Sequence, residues 1–124
     1  MAQRVILSID QGTDTQVSVS IKDSTGTAID LTGASARMQL RTQINASEFV
    51  DELTTENSRI VIGDAGEMAL IFPNETTTGI NAGTYVYDLE MVDSDGLVSR
   101  VMEGTITIRP EVTRNDSEES DASE

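Results

Sequence analysis

Asp88 and Glu90 stand two residues apart in "YDLEM", and on an extended strand that spacing sends both carboxylates to one face. A carboxylate pair is the machinery of glycoside hydrolysis, one group giving a proton and the other acting as base or nucleophile. With 22 Asp and Glu in 124 residues, however, a same-face pair arises by chance, and a solvated acidic face is the favoured reading. Asp93-Ser94-Asp95-Gly96 resembles half of a calcium loop. An EF-hand with Gly96 at its sixth position would need acids at 91 and 102, where Met91 and Met102 stand, so the stretch is read as a hairpin turn. The chain has no His and no Cys, which removes His-based triads, thiol nucleophiles and zinc-thiolate sites together. No catalytic residue, metal ligand or cofactor site is therefore expected, and the chain is not expected to be an enzyme.

Basic residues are the scarcer resource. Seven Arg and one Lys face 22 acids, for a net charge of −14. Such a field repels phosphate backbones and anionic lipid, so neither nucleic acid nor membrane is an expected partner. It also keeps a protein soluble, or hydrated at high salt; the plainer solubility reading is preferred. Arg37 and Arg41 share one face of a strand. They either pair with carboxylates on the next strand or dock an acidic surface of a neighbouring subunit, a task that suits Arg better than Lys. The last ten residues, "NDSEESDASE", hold five acids (Asp116, Glu118, Glu119, Asp121 and Glu124), leaving the remainder at −9. This segment reads either as a solvating acidic end or as an arm that orders against basic neighbours, with Glu118 and Glu119 as the contacts.

The elements that would carry these groups are strands. Val5, Leu7 and Ile9 alternate, as do Val17, Val19 and Ile21 after the breaker "DQGTD", predicting strands at about 4–10 and 15–23. Thr25-Gly26 and Thr32-Gly33 mark a turn and a corner. A third strand follows at 35–42, with Ala36, Met38 and Leu40 inward and Arg37, Gln39 and Arg41 outward. Residues 48–54 fit a strand or a helical turn. "SRIVIG" and "EMALIFP" flank a "GDAG" hairpin that Pro73 should end, and Asn74 is a candidate N-cap for one helical turn. A final hairpin puts Tyr85, Tyr87, Leu89 and Met91 on one face, with Met102, Gly104, Ile106 and Ile108 opposite. Gly104 marks a bulge or a close backbone approach. Simple alternation places Arg100 on the Met102 face, at the sandwich rim, unless a bulge at Glu103-Gly104 resets the register. Short strands, regular turn signals and no helical period predict an all-β fold. The expected form is a single immunoglobulin-like antiparallel β-sandwich over residues 1–114, with an acidic tail at 115–124. A small barrel is the alternative. The first apolar run, "VILSI", is too short for a signal-peptide core, and synthesis in a cytoplasm is expected.

Three stretches carry a family resemblance: Asp30-Leu31-Thr32-Gly33 before a strand, Gly83-x-Tyr85-x-Tyr87-Asp88 leading into the last hairpin, and Glu103-Gly104-x-Ile106-x-Ile108 in its return strand. Spread over residues 28–114, they resemble the small β-sandwich structural proteins of tailed bacteriophages, and are similar to the N-terminal domain of the siphophage upper baseplate protein. The resemblance implies a non-enzymatic virion component of tail, baseplate or neck. It would dock repetitively to other virion proteins or to itself as a trimer or hexamer, and would be assembled in a host cytoplasm. Capsid decoration by the same fold is an alternative. A glycan-binding or host-recognition module, with residues 74–83 as the contact, is another, disfavoured by only two Tyr, two Phe and no Trp.

Overall fold

Apolar alternation builds nine strands among the described residues, 3–23 and 25–113, of the computed structural model. They are β1 (Gln3–Arg4), β2 (Leu7–Asp10), β3 (Thr15–Ser20), β4 (Ser35–Arg41), β5 (Asp51–Thr54), β6 (Ile60–Ile62), β7 (Glu67–Phe72), β8 (Gly83–Val92) and β9 (Val98–Arg109). One short helix, α1 (Asn74–Thr78), lies between β7 and β8. The larger sheet runs β1-β9-β8-β4-β5, with β2 also on β9, and the smaller runs β3-β7-β6. Arg114 and the acidic segment, with Glu118 and Glu119, lie outside the described residues.

That order is the immunoglobulin plan. β3-β7-β6 corresponds to strands B-E-D, and β9-β8-β4-β5 to G-F-C with an added C′. The protein is an immunoglobulin-like β-sandwich. Its hairpins are antiparallel, while the first segment joins β9 in parallel, Leu7 opposite Ile106 and Ile9 opposite Ile108. The side chains anticipated as inward form the core between the sheets: Met38, Leu40, Met68, Leu70, Phe72, Leu89, Met102 and Ile106 are all at most 1 % exposed. Tyr85, near the start of β8, donates its hydroxyl to the Asn81 carbonyl at 2.5 Å, forming the tyrosine corner of such sandwiches. Two residues on, where an immunoglobulin would carry its second inter-sheet cysteine, stands Tyr87.

Without a disulfide, the sheets are joined by Arg59, a residue that no local pattern singles out. Its guanidinium grips both carboxylate oxygens of Asp51 on β5 at 2.7 Å each, donates to the Glu52 carbonyl at 3.1 Å, and through Nε reaches the Ile71 carbonyl on β7 at 3.1 Å. The same group sits 5.9 Å from the centroid of the Phe72 ring. One side chain thus fastens an edge strand of the larger sheet to the middle strand of the smaller.

Local expectations need three adjustments. Pro73 ends β7 as anticipated, but Asn74 is the first helical residue and Pro73 the N-cap, with no side-chain cap of its own. The carboxylate of Asp14, from the β2–β3 turn, accepts instead from the Asn74 backbone N–H at 2.7 Å. Residues 48–54 resolve into a loop followed by β5. Gly104 is a close approach and not a bulge: its φ is +153°, and the Val5 carbonyl lies where a Cβ would stand. The bulge falls earlier. Leu89 pairs with Met102 but Glu90 pairs with Arg100, so Val101 is the extra residue and is buried beside Met102.

Candidate functional site

The bulge at Val101 decides what the outer face of the large sheet carries. It turns Arg100 away from the core and places it opposite Glu90, which faces Arg37 on the other side. Arg37-Glu90-Arg100 is therefore a row across three strands, with Arg37 Nη2 3.3 Å from Glu90 Oε1. The next row runs Glu52-Gln39-Asp88-Glu103-Arg4. In it Gln39 donates to Glu52 at 2.8 Å, and Arg4 and Arg100 each come within 3.4 Å of Glu103. A third row holds Arg41, Val86 and Thr105. All of these side chains except Glu52, together with the exposed Ile44, line an open cavity of about 340 Å³.

Arg37 and Arg41, paired in the sequence reading, do share this face, but in different states. Arg37 has a carboxylate partner on the next strand, one of the two roles foreseen for it. Arg41 has none among the described residues. It donates to the Ala46 carbonyl at 3.0 Å and to the Gln39 side-chain oxygen at 2.7 Å, and so bends toward the 42–50 loop. Arg100 was not counted with them because simple alternation put it on the Met102 face, at the sandwich rim.

Asp88 and Glu90 also lie on this face, side by side along β8 rather than across a cleft. Partial burial pushes the Asp88 carboxyl above its ordinary value, and Glu90 and Glu103 add to the push, while Arg100, 3.4 Å away at Nε, opposes it with Arg37. A raised carboxyl beside a second carboxylate is a pattern that acid–base sites share, but here ion-paired arginines hold both groups on an open sheet. The sign of the shift is testable. A group whose folded pKa is raised contributes most to stability below its unfolded value near 3.8, and that contribution is lost as pH rises through the folded value. Replacing Asp88→Asn should therefore leave stability at pH 7 unchanged or slightly higher, within about 1 kcal/mol, despite the lost ion pair. Urea unfolding of both proteins at pH 3 and pH 7 reads this, the variant gaining on the wild type as pH rises.

The remaining candidates are occupied by the fold. Asp93 Oδ1 accepts the backbone N–H groups of Asp95 and Leu97 at 2.9 and 3.0 Å, and Gly96 supplies a φ of +88°, so "DSDG" is a turn. Asp23 and Asp30 work the same way, and the threonine hydroxyls and backbone amides they accept hold both carboxyls below the usual range. Tyr87 is closed off too: burial, then Glu103, pushes its phenol up to about 12, and the hydroxyl donates to the Val5 carbonyl at 2.7 Å. The 74–83 segment is pinned to the body by the buried Thr77, whose hydroxyl bridges the Gly12 N–H and the Thr13 carbonyl at 3.0 Å each.

No protein-family profile matches the chain, and no curated protein matches it. Among solved structures it is similar to CopC from Methylosinus trichosporium OB3b, with a TM-score of 0.47 and 15 % identity over 88 % of this chain and 90 % of that one. It is also similar to the Lin-41 filamin domain, with a TM-score of 0.45 and 16 % identity over 82 % of each. Neither likeness bears on what this chain binds.

Proposed function

We propose that the protein is a non-enzymatic structural module of a tailed-phage virion, in tail, baseplate or neck, that works by repetitive docking through the outer face of β4, β8 and β9. The observation that carries the docking part is the alignment of Arg37, Arg41 and Arg100 on one open sheet face in a chain otherwise dominated by acids. Arginine on a flat, partly apolar surface suits recognition of a partner's carboxylates. The virion part is supported by the resemblance of the three sequence stretches named above. The similar solved structures are not phage proteins and add nothing to it.

The charge-reversed variant Arg37→Glu/Arg41→Glu tests the reading. Both side chains point away from the core, so the variant should fold with its melting temperature within a few degrees of wild type, while its copy number per purified particle falls at least tenfold. Quantitative mass spectrometry against the major capsid protein measures this. Unimpaired incorporation would remove the face from the interface. For the wild type, a few to a few tens of copies per particle is the expected result; hundreds would reassign the module to capsid decoration, and none would sink the virion reading.

A further inference from the structure

A sheet edge offers unpaired backbone groups to any other strand, and a chain keeps its edges single by breaking, charging, shortening or covering them. Among the described residues every edge but one is treated in that way. Along β5 the Asn57 side chain takes the Thr54 N–H at 2.9 Å and the Glu52 carbonyl at 3.2 Å, and the Arg59 N–H takes the Thr54 carbonyl at 3.2 Å. β6 is only three residues long. β1 and β2 are interrupted at Val5 and Ile6 and carry the charges of Arg4 and Asp10. β3 stands apart. Its "TQVSVS" runs for six residues without a charge, a proline, a glycine or a break. In the immunoglobulin plan the first strand pairs with B, the position of β3; here β1 and β2 lie on β9 and leave that side open.

The ladder fixes which groups face out. The Ile21 N–H donates to the Gly66 carbonyl at 2.8 Å, and alternation from there turns Val19, Val17 and Thr15 toward β7 and the N–H and C=O groups of Gln16, Ser18 and Ser20 toward the open side. No described residue pairs with those outward groups. The side chains of Gln16, Ser18 and Ser20 are exposed on one face, while Val17 and Val19 are half-buried on the other, at the margin of the core.

We infer that β3 pairs antiparallel with β3 of a second copy, about a two-fold axis at Ser18, joining the two smaller sheets into one. In this register Ser18 exchanges both backbone bonds with the copy's Ser18, and Gln16 lies opposite the copy's Ser20. Val17 lies opposite the copy's Val19 in the closer, non-hydrogen-bonded position, where β-branched pairs pack well. Each outward amide meets a carbonyl, the valines are covered, and no like charges face one another. That last point selects the occupant: two copies, each at −14, repel one another over most of their surface, whereas this uncharged strand matches itself. β3 belongs to the other sheet from the arginine-bearing face, so the contact is independent of docking there.

Sedimentation equilibrium of the full-length protein, from about 10 to about 500 µM, tests the pairing. The expected result is a mass that climbs from one chain toward two. It should climb further at about 500 mM salt than at about 50 mM, because salt screens the overall repulsion and leaves backbone bonds and valine contacts intact; association through the arginines would show the opposite trend. Ser18→Pro removes the N–H at the axis without taking a bond from β7, so the variant should keep its melting temperature within a few degrees while its dimer dissociation constant rises roughly tenfold or more. Ser18→Lys and Ser18→Asp each set like charges against one another across the axis. Each alone should be monomeric, and an equimolar mixture of the two should recover a mixed dimer. A wild type that stays monomeric to about 500 µM at both salt concentrations overturns the proposal and leaves the edge to a strand of another protein. A dimer that Ser18→Pro leaves intact, or a mixture of the Lys and Asp variants that stays monomeric, also overturns it. Since Arg37 and Arg41 are unchanged in all of these proteins, the outcome fails or holds separately from the particle-incorporation assay.

Discussion

Replacing Arg59→Ala will cost about 3–5 kcal/mol of stability, the largest loss expected from any single side chain outside the hydrophobic core. The guanidinium and the Asp51 carboxylate are only 15 % and 10 % exposed, and their bidentate 2.7 Å geometry satisfies both oxygens. Removing the arginine leaves a carboxylate with little access to water and takes the side-chain donor from the Ile71 carbonyl, while the Glu52 carbonyl keeps Asn57 Nδ2 at 3.2 Å. The midpoint of thermal unfolding should drop by roughly 10–20 °C. Arg59→Lys should recover only part of the loss, since a point charge cannot span both carboxylate oxygens and the Ile71 carbonyl together. The double change Arg59→Met/Asp51→Leu separates an ion pair that adds stability from one that is merely costly to break: if the second holds, the double variant is closer to wild type than either single one. An alanine variant that melts within about 2 °C of wild type would mean that Arg59 does not join the sheets.

What could and could not be read in the sequence follows from how each feature is encoded. Ala36-Met38-Leu40 and Met68-Leu70-Phe72 alternate because one sheet face is buried and the other is not, and burial of one face is what alternation reports. Their inward placement, the position of Pro73 and the "DSDG" turn were all legible for that reason. Arg59 was not. Its partner Asp51 sits in a stretch that fits strand and helix equally, and its pairing depends on how two sheets stack, which no local period records. The bulge at Val101 hid for a related reason. "VSRVMEG" offers two apolar residues in a row, and either could be the inward one until β8 fixes the register. That ambiguity concealed one of the three arginines aligned on the candidate face, since it decides on which face Arg100 stands. The parallel attachment of β1 and β2 to β9 was likewise silent, because a strand's own pattern says which residues are buried but not which neighbour it adopts.

Gly104 ties these observations together, because the first segment reaches β9 only by crossing it. β1 and β2 are interrupted at Val5 and Ile6. There the Val5 N–H donates to the Glu103 carbonyl at 3.0 Å, and the Val5 carbonyl comes down onto Gly104 and accepts the Tyr87 hydroxyl. Tyr87 pairs with Gly104 across the hairpin, so the missing side chain makes room for both the phenol and the crossing backbone. Replacing Gly104→Ala adds a methyl that overlaps the Val5 carbonyl, on a backbone at φ +153° that L side chains rarely adopt. The expected cost is about 2–4 kcal/mol, part conformational strain and part displacement of the first segment. Gly83 separates the two parts. Its φ is +151°, nearly the same, but nothing lies within 4 Å of its added Cβ, so Gly83→Ala should show the strain alone, about 1–2 kcal/mol. Hydrogen exchange then locates the difference: in Gly104→Ala the amides of residues 4–10 should lose protection while those of β4 and β8 keep it, and in Gly83→Ala both should be kept. Equal costs and equal protection in the two variants would mean that the first segment is held by its side chains, Leu7 and Ile9 in the core, and that its crossing over Gly104 contributes nothing.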